Sequence, residues 1–167
     1  MIDLMQFRRN ATTDGLCSEY AAKWDNSGSK KELIDLAFEV KGVDYICDAI
    51  AKGWGISPSY ICDNFGRYIN GKYTYDDGYL SQMYCNYQGD ILCQVELLTL
   101  INCDVTIELP EHHICQIYVT GNSKINLIGK GVAIIVSYGN PENVEVVGNG
   151  IKYKRIFKKE KDKHEGQ

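Results

Sequence analysis

At 167 residues the chain can bury a sizeable core without staples, and 18 Lys/Arg against 22 Asp/Glu leave it at −4. Its seven cysteines are an odd number with no Cys-x-x-Cys spacing, so they read as small buried hydrophobes and not as a metal site or reactive thiols. No apolar run approaches a membrane span, and the opening MIDLMQFRRNATTDG lacks an apolar signal region, so the expected location is the cytosol.

Charge is unevenly spread. Residues 1–70 carry eight Lys/Arg against ten Asp/Glu, residues 71–150 three against nine, and residues 151–167 seven against three. An acidic middle repels nucleic-acid phosphates and suits docking on a basic surface. The end of the chain, 158–167, reads as a charged, solvated, disordered tail.

Residues 1–69 form the expected helical N-terminal subdomain, with a run of short helices over 14–69. Asp14 is a cap, and Leu16, Tyr20 and Trp24 share one stripe. Ser29 and Glu32 have capping-box spacing, followed by an apolar face of Leu33, Leu36, Ala37 and Val40 and an exit at Gly42. Asp44 to Gly53 repeats the plan. Ser57 then caps a helix whose first position is Pro58, where a missing N–H is no loss. Helices this short do not persist alone, so their apolar stripes must pack together.

Ala51, Gly55 and Ile61, with Trp54 and Ile56, match the spacing of a helix-turn-helix. In that alternative the DNA-binding residues are Ser57, Ser59, Tyr60, Asn64 and Arg67. Arg67 is the one cation of the would-be recognition helix, and Asp63 would face phosphates, so nucleic acid is not the expected partner.

Residues 70–90 read as a tyrosine-rich connector broken by Asn70-Gly71, Asp77-Gly78 and Gly89-Asp90. Tyrosine offers a large contact area with little rotamer freedom to lose. Tyr73, Tyr75, Asp76, Asp77, Tyr79, Tyr84 and Tyr87 are therefore the candidate partner-binding residues. The competing reading makes these tyrosines half-buried cover for the seam between helices and sheet.

Residues 91–157 are β-rich. Gly121, Gly129, Gly139 and Gly148 step by 8, 10 and 9 residues, and three of the four precede Asn. Between them apolar and polar residues alternate: Cys115, Ile117 and Val119 oppose Gln116 and Thr120, while Ile125 and Leu127 oppose Lys124 and Asn126. Short strands closed by residues that tolerate φ > 0 predict a β-solenoid-like stack of two to three coils. The fold class is thus α+β, an N-terminal bundle of short helices followed by that stack. A compact antiparallel β-sandwich or roll writes a similar pattern and is the alternative.

Inward positions carry Val, Ile, Leu and Cys. His112 and His113 are adjacent, which in a strand would send them to opposite faces, and Glu111 with His113 is too little for a site. There is no Walker loop, Gly-x-Gly-x-x-Gly or nucleophile elbow. No catalytic residue, metal or cofactor is expected. The strings AIAKGWGISPSYICDNFGRYINGKY, GYLSQMYCNYQGDI, LLTLINCDVTI and IYVTGN resemble a group of small uncharacterised proteins from phages and mobile elements of gut bacteria. That resemblance implies a setting in which accessory proteins inhibit or adapt host machinery. The expected function is a non-enzymatic protein–protein interaction module, in its most concrete form an inhibitor of a host defence system of the anti-CRISPR kind. The alternatives are the helix-turn-helix regulator and a phage structural or assembly protein, with strand edges offering a route to homo-oligomers.

Overall fold

The computed structural model describes residues 4–13, 15, 18–39, 46, 49–50, 56–76, 78–138 and 141–158. Among them, helices α1 (Leu4–Thr13), α2 (Ser18–Asp25), α3 (Lys30–Glu39) and α4 (Pro58–Ile69) precede the strands. These are β1 (Lys72–Asp76), β2 (Tyr79–Cys85), β3 (Gln88–Leu92), β4 (Leu97–Ile101), β5 (Asp104–Leu109), β6 (Ile114–Thr120), β7 (Ser123–Gly129), β8 (Val132–Tyr138), β9 (Val144–Gly148) and β10 (Lys152–Lys158). The chain is α+β, short helices followed by a β-solenoid.

Local chemistry explains the helices. In α3 the Glu32 N–H bonds Ser29 Oγ at 3.2 Å, while the Glu32 carboxylate reaches back to the Gly28 N–H, a capping box shifted by one residue at its return arm. Its buried residue is Ile34, with Leu33 and Leu36 half-buried; the Ala37 side chain and Val40 of the expected face lie outside what is described. Helix α4 has Pro58 in its first turn, and Ser57 Oγ accepts from Tyr60 N at 3.1 Å. Helix α1 lies upstream of the expected helical run; its Ala11 is buried with Ile34, Ile61 and Phe65. Asp14, Leu16, Gly42, Asp44, Ala51, Trp54 and Gly55 lie outside the described residues, as does most of the expected helix over 44–53. Of that segment Ile46, Ala49 and Ile50 are helical, with Ile46 and Ala49 buried.

The strands fall into two sheets, ordered β1-β2-β4-β6-β8-β10 and β3-β5-β7-β9. Every pairing is parallel except the β1–β2 hairpin. That corrects the antiparallel sandwich alternative. Successive strands alternate between sheets, so β2-β3, β4-β5, β6-β7 and β8-β9 make four coils, more than the two to three expected. The extra coil comes from the segment read as a connector. Strand β3 spans the expected boundary at 90/91, so 70–90 is part of the stack. The even glycine steps are half-coils: Gly121 and Gly129 close opposite corners at φ +70 and +104.

Between the sheets, Leu98, Leu100, Ile107, Leu109, Ile117, Val119, Leu127 and Ile135 are fully buried in one cluster. Each large side chain there stabilises the fold by roughly 1.5–3 kcal/mol. A second cluster joins helices to solenoid, with Ile61, Cys62, Phe65 and Ile69 of α4 against Met83, Cys85 and Ile101. Helices therefore cover the outer side of the six-stranded sheet over its first strands.

Candidate partner-docking face

The six-stranded sheet extends one strand past its neighbour at each end, and those strands shield the terminal coils. At the far end, Arg155 of β10 donates from Nε to Ser137 Oγ at 3.0 Å and from Nη2 to Val144 O at 2.7 Å, with Phe157 against its guanidinium. The Tyr153 ring lies over Gly148, where any Cβ would strike it. At the near end, pairing of Tyr73 with Gln82 and Tyr75 with Leu80 places both tyrosines on the inward side of β1. There Tyr84 and Tyr87 stack with centroids 4.7 Å apart, packed on the core. Burial, and then the neighbouring Tyr73 and Tyr87 hydroxyls, raise the Tyr84 pKa above the usual phenol value.

The tyrosines expected as one surface are thus divided. Tyr84 and Tyr87 are half-buried, Tyr73 and Tyr75 are exposed on the same side, and exposed Tyr79 points to the other side of the sheet. Asp76 belongs to β1, and Asp77 lies outside the described residues.

Residues of the DNA-binding alternative are engaged mostly within the helical layer. Ser57 caps α4, the Tyr60 ring meets Phe65 edge-on, and Asn64 Oδ1 accepts from Lys30 Nζ at 2.8 Å. Arg67 stacks on Tyr68 and donates to its hydroxyl. Ser59, Asp63 and Arg67 are exposed, so this flank of α4 has no excess of cations.

The outer face of β3-β5-β7-β9 is different. Among the described residues the helices pack on β1 and β2 of the other sheet, and the side chains of this face are largely exposed. Strand register sets its side chains in rows: Gln88, Asp104, Lys124, Glu145; then Asp90, Thr106, Asn126, Val147; then Leu92, Glu108, Ile128. Neighbours along a row are about 4.8 Å apart. Asp90, Asp104, Glu108 and Glu145 are exposed beside one lysine, Lys124. Two adjoining open depressions lie here, of about 450 and 230 Å³, both bordered by Asp104, Lys124 and Glu145. Glu142 and the corner residues Asn102 and Asn122 line the larger one.

None of these residues was singled out from the sequence. The available signal was the acidic excess of 71–150 together with acids at alternate positions of the strands, but the sheet to which each strand belongs is needed to see them converge. The chemistry suits complementary contact with cationic side chains, since carboxylates spread over a flat face on strands need little ordering to bind.

The histidines differ from expectation as well. Residues 110–113 form a turn, closed by His113 N to Pro110 O at 3.1 Å, with His112 at φ +68. His113 turns inward to Val95 and Cys93, while Glu111 stands near Lys130 at 3.9 Å. Among the described residues no group of three or more His, Cys, Asp or Glu is placed to hold a metal ion, and no helix is long and apolar enough to cross a membrane. In comparisons with known proteins, no family model, no curated protein and no solved structure matches the chain.

Proposed function

We propose that this chain is a non-enzymatic binding protein whose four-stranded face docks on a basic surface of a partner protein. The observation carrying this reading is the exposure of Asp90, Asp104, Glu108 and Glu145 on a sheet that the described helices do not cover, where Lys124 is the one cation in the described strand rows. The solenoid supports it by fixing the carboxylates on a backbone that loses little entropy on association. A nucleic-acid-binding groove of a host defence enzyme is the most concrete partner, because such a groove presents clustered Lys and Arg that an acidic face complements. The phage or mobile-element setting, the cytosolic location and the role of inhibitor belong to this proposal.

The exposed flank of α4 favours DNA contact less, since Asp63 offsets Arg67. The test is affinity purification from host lysate with the native chain, the triple variant Asp104→Lys/Glu108→Lys/Glu145→Lys, and the control Glu19→Lys on α2. The proposal expects a discrete partner with the native chain and the control, lost with the triple variant and weakened by salt. A partner retained by the folded triple variant contradicts it, and so does the absence of any partner.

A further inference from the structure

The six-stranded sheet begins with β1, whose only strand partner among the described residues is β2. The direction of its remaining backbone groups follows from β2. Leu80 O accepts the Glu96 N–H at 3.1 Å, on the side of β4. Alternation along β2 therefore turns the N–H and C=O of Tyr79, Ser81 and Met83 toward β1, where they meet Asp76, Thr74 and Lys72. Tyr73 and Tyr75 are left with both backbone groups aimed out of the sheet edge. Their rings lie on the inward side of β1, beyond the first strand of the four-stranded sheet, and are 53% and 74% exposed.

Read backwards, the strand KYTYD complements itself. We propose that the chain forms a two-fold dimer in which β1 of one copy adds antiparallel to β1 of a second copy, centred on Thr74, so that two six-stranded sheets join edge to edge. Each Tyr73 then exchanges both of its outward backbone hydrogen bonds with Tyr75 of the second copy, and their rings cover one another on the inward side. Lys72 stands opposite Asp76 of the second copy, a pair of opposite charge; Lys72 also pairs with Asp35, and an ammonium has donors for both. Thr74 meets its own equivalent on the axis as a non-hydrogen-bonded pair, with Cα atoms about 4.5 Å apart. Its Oγ1 is buried with no hydrogen-bond partner among the described residues, and the hydroxyl across the axis supplies one.

The far edge of the same sheet lacks this property. Strand β10 paired with itself around Arg155 sets Lys152 against Lys158 and Arg155 against its own equivalent, like charges that oppose the contact. A two-fold axis through joined antiparallel edges runs perpendicular to the sheet, so both acidic four-stranded faces look the same way. The hairpin edge is thus filled by the second copy, and the dimer offers two acidic faces to a partner at once.

Sedimentation velocity of the full chain over a micromolar concentration series, with circular dichroism to confirm folding, tests this beside cysteine cross-linking. The proposal expects twice the chain mass for the native chain. Tyr75→Pro removes an N–H that faces out of the edge, where proline is tolerated, so this variant should fold and dissociate about tenfold more readily. Lys154→Glu on β10 should dimerise like the native chain. Thr74→Cys should give a disulfide-linked dimer on mild air oxidation, and Tyr75→Cys far less, because position 75 meets 73 and not itself. A native chain that sediments as a monomer throughout the series overturns the proposal, and so does an undiminished dimer in folded Tyr75→Pro. Loss of the dimer in Lys154→Glu, or equal cross-linking at positions 74 and 75, places the contact elsewhere and overturns it as well.

Discussion

Asn102, at the corner between β4 and β5, accepts the backbone N–H of Asn122 in the next coil through Oδ1, at 3.0 Å. Asn102 itself sits at φ +53, a conformation Asn tolerates better than other side chains with a Cβ. Gly121, at φ +70, leaves the space that the Asn102 amide occupies. Backbone bonds from Asn102 N to Thr120 O and from Asn86 N to Ile101 O continue the same corner along the stack. One side of the solenoid is held in register by asparagine and glycine, the other by turns of varied length.

Asn102→Ala removes the bond from Asn122 N and the long one to Cys62 Sγ and leaves a residue ill suited to φ > 0, so urea unfolding should show a loss of about 2 kcal/mol. Asn102→Gly keeps the backbone conformation and should recover about half of it. Equal stability of all three chains would mean that the corner does not set register.

Arg155 closes the last coil by bonding Ser137 and Val144 O and by stacking on Phe157. Arg155→Ala leaves a buried hydroxyl and a carbonyl short of a donor, and should destabilise the chain by about 1–3 kcal/mol in denaturant titration. Arg155→Lys should restore only part of this, because a point ammonium cannot serve two acceptors and stack as the planar fork does.

Asp35 of α3 bonds Lys31 at 2.7 Å and also pairs with Lys72 of β1, tying the helical layer to the hairpin. Hydrogen bonds from those two lysines hold its carboxyl below the ordinary 3.8. A depressed acid stabilises the fold above its unfolded pKa, and that contribution disappears as pH falls through the lower folded value. The carboxylate is about a third exposed, at 35%, so solvent screening keeps the effect under about 1 kcal/mol. Asp35→Asn should flatten the acid limb of stability against pH below about 4 and leave the alkaline limb unchanged.

Leu127 and Ile107 are fully buried between the sheets. Either one changed to Ala should lower stability by about 2–5 kcal/mol, through lost burial and the cavity left behind. A loss below about 1 kcal/mol in calorimetry would mean that the coils are less closely packed than their burial implies.

The stack was legible because its signal is local. Alternation of Cys115, Ile117 and Val119, or of Ile125 and Leu127, needs only a period of two and a corner. Coil number was less legible: Tyr79–Cys85 (YLSQMYC) and Gln88–Leu92 (QGDIL) hold a single β-branched residue and no clean alternation, so their role as the first coil is visible only once β2 pairs with β4 and β3 with β5. Ile34 of α3 is buried among residues of α1 and α4, helices whose placement around it is not written in the period of α3 itself. The acidic face was hidden for a related reason. Asp104 and Glu145 are far apart in the chain, and strand register alone makes them the neighbours of Lys124, with Asp90 in the adjoining row. His113 read as a strand residue because nothing in PEHHIC announces a turn with His112 at φ > 0.

The central claim is that the helix-free face, and neither α4 nor the tyrosine hairpin, meets the partner. Hydrogen exchange of the chain, alone and with its affinity-purified partner, tests it most directly. Slowed exchange confined to 88–92, 104–108, 124–128 and 144–148 is the predicted result; slowed exchange in 58–69 or 72–82, with those strands unchanged, would contradict it.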